Sequence, residues 1–197
     1  MSVTKSGTYR YCGPDSKNHI ESAMKVVAAF ISNNSKIKIN WNNNNNISAN
    51  VDAGIINIPR IPELNETELN KVRGYVYHEG AHILDTKIDR KEFDNNDLLH
   101  NVWNTIEDIR IESKMSSLYD GCGPVFSRLR DWHNVKTGEY ISTSNDNNFF
   151  DEALTACQLR SISKTPSWVL RPQAQKYFDV IYPIFSKVHG TKNSVDV

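Results

Sequence analysis

Apolar side chains recur at steps of three and four between Lys17 and Ser32, at Ile20, Met24, Val27, Ala28 and Ile31, which predicts an amphipathic helix. The period then drops to two. Ile37, Ile39 and Trp41 alternate with Lys36, Lys38 and Asn40, the mark of a strand with one wet face. The asparagine run Asn42–Asn46 reads as a polar loop, and 47–52 and 54–59 as two more short strands. The second of these, Gly54-Ile-Ile-Asn-Ile-Pro59, ends in a residue with no N–H to donate, which suits a sheet edge.

Helical periodicity then returns behind a start signal. Asn65 with Glu68 three positions on is a capping box, and the helix it opens should run to about Thr86, burying Leu69, Val72, Val76 and Ile83. Asp94-Asn-Asn-Asp97 lacks the glycine and distant glutamate of a calcium loop and reads as a second cap. The helix behind it, 97–117, should bury Leu98, Val102, Ile106 and Ile109. Beyond Gly121 the pattern weakens to a short helix at 126–132, a polar loop at 137–148, and helices at 149–162 and 172–188. The expected fold class is therefore α+β, with a small mixed sheet packed on two antiparallel site helices. We expect a single domain, with residues 1–16 a loose arm, 17–118 the core that carries the site, and 119–197 a mainly helical subdomain.

The chemistry lies in the first of the two central helices. His78-Glu79-Gly80-Ala81-His82 is an HExxH motif: residues four apart share a helical face, so two imidazoles can converge on one ion. Glu79 faces the same pocket and is the expected catalytic base, taking a proton from a metal-bound water. A catalytic zinc ion needs a third protein ligand and one open position. Ile88 and Asp85 stand where a metzincin would place its third histidine and its glycine, so the ligand must come from elsewhere.

Asn104-Thr-Ile-Glu-Asp-Ile-Arg-Ile-Glu112, a polar cluster among core-type residues, supplies it. Glu107 is the expected ligand, with Asp108 and Glu112 as the alternatives. On a helix these two point about 100° and 140° away from it, so only one of the three can face the ion squarely. Asn104, one turn earlier on the same face, and Asp108 are expected to brace the ligands from behind. Arg110 and Glu112 fit an ordinary ion pair.

These two segments together resemble the gluzincin-type metallopeptidase region of phage and bacterial CobT-like, von Willebrand factor A-associated proteins. The resemblance covers about residues 66–116 and rests most on the second segment, since HExxH is shared by many families. It implies a zincin-like fold with one Zn2+ on His78, His82 and Glu107. Longer members continue into a metal-binding domain with a D-x-S-x-S signature, which this sequence lacks.

The resulting expectation is a zinc-dependent metallopeptidase. Its peptide or protein substrate would lie along the strand Gly54, Ile55, Ile56, Asn57 and Ile58 by β-augmentation. Tyr119, His133 and Tyr140 are candidates to stabilise the oxyanion, and His100 is a ligand only if Glu107 is not. The main alternative is a non-catalytic zinc-binding interaction module, which would have no need of Glu79 as a base. A hydrolase acting on a non-peptide amide would share the same site.

Charge and cysteine content narrow the partners. Lys+Arg and Asp+Glu stand at 23 each, so no net charge draws the chain to nucleic acid. That balance, with no third motif histidine and no CxxC for a zinc ribbon, argues against a DNA-associated protease of the SprT kind. No apolar run approaches a membrane span, the first ten residues do not read as a secretory leader, and three scattered cysteines read as reduced thiols. The expected setting is the cytoplasm (of the host, if phage-encoded).

Overall fold

The alternating segment after the first helix becomes the first strand of a small sheet. The computed structural model describes residues 15–44, 47–60, 65–88, 93, 96–143, 146–162 and 164–188. Most of the expected arm (1–14), the end of the asparagine run (45–46) and the start of the second cap segment (94–95) lie outside them. Among the described residues are six helices and one three-stranded mixed sheet, the α+β content that the pattern predicts. The chain groups into two compact units, Met1–Asp85 with Pro124–Leu129, and Thr86–Gly123 with Arg130–Val197.

The first unit contains helix α1 (Asp15–Ile31), strands β1 (Lys38–Asn42), β2 (Ser48–Asn50) and β3 (Ile55–Pro59), and helix α2 (Glu66–Asp85). The sheet order is β1-β3-β2, with β1 parallel and β2 antiparallel to β3. The edge position expected for 54–59 is thus wrong: β3 is the interior strand, with its backbone paired on both sides. A proline at the end of a strand is as harmless as one at an edge, because the ladder beside it closes through Arg60, whose N–H donates to the Asn42 carbonyl at 2.8 Å. β2 and β3 are joined by a tight turn at Val51–Gly54, in which Gly54 takes a left-handed φ of 61° and Ala53 N–H donates to Asn50 Oδ1.

Ile37, Ile56 and Ile58 are fully buried and pack with Met24 and Ala28 of α1, Val72, Tyr75 and Val76 of α2, and Leu129. Asn65 caps α2 as expected, its Oδ1 accepting from Glu68 N–H at 2.9 Å. Gly80, inside the HExxH motif, marks the close approach of α1: a Cβ there would sit 3.0 Å from Ile31 Cγ2.

The second unit contains α3 (Asp97–Leu118), most of α4 (Cys122–Thr143), α5 (Phe149–Ser161) and α6 (Pro172–Phe185). α3 groups with the C-terminal helices, and not with the sheet, because Ile106 and Ile109 bury against Leu154, Cys157, Phe185 and Val188. The division therefore falls after Asp85, where the sequence suggested residue 118. Asn96 caps α3 by accepting from Leu99 N–H at 3.0 Å. Leu98 does not join the core: it is 56% exposed, because the apolar stripe is covered only from Val102 onward.

α4 is far longer than the expected 126–132 segment and takes in half of the expected 137–148 loop. Thr137-Gly138 reads as a break, yet Gly138 is a contact site where a Cβ would meet Ser167 Oγ at 2.8 Å. One turn earlier, Asn134 holds the same crossing segment through Thr165 O, Ser167 N–H and Ser167 Oγ. No helix among the described residues is long and apolar enough to cross a membrane.

Candidate metal centre

The one-turn spacing on α2 brings the two motif histidines together, with His78 Nε2 and His82 Nε2 3.3 Å apart. Their rings meet at 78°, with centroids 4.9 Å apart. An ion held tetrahedrally at about 2.0–2.1 Å from each nitrogen sets two such ligands about 3.3–3.4 Å apart, so the pair has the right opening. Without an ion, one ring can donate a hydrogen bond to the other across the same gap. His82 and Glu79 are buried and His78 is half-buried, so the motif turn lies largely away from solvent.

The carboxylate that comes within ligand distance of the two histidines is Asp108, where Glu107 was expected. His78, His82 and Asp108 each offer one ligand atom, and these atoms all lie within 4.8 Å of one another, so the cluster can hold a metal ion. Glu107 is committed elsewhere. Thr86 Oγ1 donates to its Oε1 at 2.6 Å, and Arg110 grips both oxygens, Nε to Oε2 and Nη2 to Oε1, each at 2.7 Å. Both partners of that ion pair are essentially buried, which makes it a structural fork. The difference is one residue, which on a helix is about 100° of direction. Sequence spacing cannot resolve it, because adjacent carboxylates on one segment look alike until their partners are known.

Glu112, expected in an ion pair with Arg110, is gripped by an arginine from another helix, Arg130. Its Nε donates to Glu112 Oε2 at 3.1 Å and its Nη2 to Oε1 at 2.5 Å. Arg130 Nη2 also stands 4.0 Å from Asp108 Oδ2. Burial opposes charge on Arg130, but the carboxylates of Glu112 and Asp108 outweigh it and hold the guanidinium above its ordinary value. Asp108 Oδ2 further accepts from Gln158 Nε2 at 3.1 Å. The side chain of Asn104, expected as a brace, makes no hydrogen bond among the described residues, whereas Gln158 and Arg130 are the groups beside Asp108 Oδ2. A faint signal for Gln158 does exist in the sequence: it is a lone amide inside the otherwise apolar run Ala156-Cys157-Gln158-Leu159.

The other candidates divide plainly. Tyr140 is half-exposed and donates to Asp146 Oδ2 at 2.9 Å, while Tyr119 stands at the C-cap of α3. His133 packs edge-on against Trp132, and His100 sits among Phe93 and Trp103 in an aromatic cluster. Gly54, Ile55, Ile56, Asn57 and Ile58 are not open to a peptide by strand addition, because β1 and β2 take both sides of β3. The Asn57 amide is also engaged, accepting from Asn40 at 2.8 Å and donating to Ser48 at 3.0 Å across the sheet.

Compared with protein-family models, with curated proteins and with solved structures, the chain matches none.

Proposed function

We propose that this chain is a zinc-dependent metallopeptidase on a zincin-like scaffold, with one ion held by His78, His82 and Asp108 and with Glu79 as the catalytic base. The observation that carries the reading is the ligand cluster itself: two imidazole nitrogens 3.3 Å apart with an Asp108 oxygen within 4.8 Å, and a glutamate next to the first histidine. Two nitrogens and one carboxylate oxygen make a three-ligand set of the kind that catalytic zinc uses, leaving one position for chemistry. A purely structural zinc site would close its fourth position and would give Glu79 no task.

When bound, the ion supplies Lewis acidity, lowering the pKa of water and polarising a carbonyl. The protein's own part is proton transfer and positioning. Glu79 takes a proton from the attacking water and returns it to the leaving amine nitrogen, the work of a general base that becomes a general acid. The burial of Glu79 removes competing solvent from that exchange. The peptide would add to an outer strand of the sheet, and β2, which packs on the motif helix α2, is the edge we assign to it.

The test is zinc content and peptide-library cleavage for wild type and Glu79→Gln. We expect wild type to cleave, and Glu79→Gln to keep its zinc while cleavage falls about 10²–10⁴-fold. Zinc bound with no cleavage by wild type would overturn the peptidase reading in favour of a non-catalytic zinc-binding module.

A further inference from the structure

We infer that Gln158 and Arg130 are positioning residues that aim the Asp108 carboxylate at the metal ion. The inference rests on the three-ligand reading above and extends it to two helices, α4 and α5, that lie outside the segment carrying the HExxH and Asn104–Glu112 motifs. The geometry is specific. Gln158 Nε2 and Arg130 Nη2 both address the same oxygen, Asp108 Oδ2, at 3.1 Å and 4.0 Å. A carboxylate held at one oxygen has its rotation about the Cβ–Cγ bond restricted, which limits the directions from which an ion can reach it.

Arg130 is itself immobilised. Glu112 binds its Nε and Nη2 as a fork, and the guanidinium is buried. Carboxylate, guanidinium and carboxylate thus run from Glu112 through Arg130 to Asp108, and the amide of Gln158 closes the far side. The two contacts do different work. Arg130 lies beyond hydrogen-bond distance of Oδ2 and so acts by charge, drawing that oxygen toward the guanidinium. Gln158, a neutral donor within hydrogen-bond reach, sets direction without adding a charge that would repel the ion. Its half-buried position lets it be replaced without opening the core.

The experiment uses Co2+ as a probe with a visible spectrum, measured on the full chain for wild type, Gln158→Leu, Gln158→Met and Asp108→Ala. Partners behind a metal ligand typically contribute about 10–100-fold in metal affinity. We expect both Gln158 variants to bind Co2+ about 10–100-fold more weakly than wild type and to show a shifted cobalt absorption band. Their metal-free thermal midpoints should stay at the wild-type value, a combination that a merely structural role for Gln158 would not produce. Wild-type affinity and an unchanged band in both variants, with Asp108→Ala still losing Co2+, would overturn the positioning role and leave the metal centre standing. No Co2+ binding by wild type would overturn both.

Discussion

At the scale of single residues, the account turns on which of two neighbouring carboxylates has a structural partner. Glu107 is held by Arg110 and Thr86 in a buried setting, whereas Asp108 is aligned by an amide and shares the flank of Arg130. Opposite phenotypes follow. Glu107→Ala removes the carboxylate that forks a buried guanidinium and should lower stability by about 3–5 kcal/mol, read from urea unfolding of the metal-free protein. Asp108→Ala should cost little stability by comparison but weaken zinc binding on the order of 100-fold or more, read by chelator competition. The reverse pattern would return the ligand role to Glu107. His78, Glu79 and His82 were legible in the sequence because one spacing rule fixes all three on α2. The carboxylate that comes near the two histidines was not, because it is selected by the partners of Glu107 and Asp108, and two of these, Arg130 and Gln158, stand on other helices, α4 and α5.

At the scale of elements, local signals did well where they act locally. Asn65 and Asn96 cap α2 and α3 through their side-chain oxygens, as the cap rule demands. The core stripes on α1 and α2 bury Met24, Ala28, Val72 and Val76 as their periodicity requires. Failures come where a residue means two things. Pro59 marks either an edge strand or the end of an interior one, and only the β1–β3 pairing decides between them. Gly138 marks either a break or a close crossing, and Ser167 decides. Leu98 lies on the right stripe of α3 but ahead of the part that α5 helps to cover. Each of these depends on a non-local contact, which periodicity alone does not contain.

At the scale of the whole molecule, stability should fall in alkaline solution for a reason built into the cores. Burial pushes the Cys157 thiol from 9.0 up to about 12 and raises that of Cys122. Burial, with the nearby charge of Glu68, takes the Tyr75 hydroxyl from 10.0 up to about 12. Above pH 9 the unfolded chain therefore sheds these protons first. The folded state binds more protons, and stability is lost as pH rises through the interval from about 9 to about 12. In urea unfolding across that interval, Cys157→Ala should flatten the decline, most clearly between about pH 9 and pH 10, before Tyr75 contributes. Parallel curves for variant and wild type would remove Cys157 from the explanation. The α+β class was readable from the switch between two-residue and three-to-four-residue periods. The grouping of α3 with α5 and α6 was not, because it rests on Ile106 and Ile109 finding Phe185, far along the chain.

The central claim, one ion on His78, His82 and Asp108, is tested most directly by anomalous diffraction at the zinc edge from crystals grown with stoichiometric zinc. The account predicts a single strong peak about 2.0–2.1 Å from both histidine Nε2 atoms and bonded to an Asp108 oxygen, with Glu107 still on Arg110. A peak coordinated by Glu107, or none near the two histidines, would contradict it.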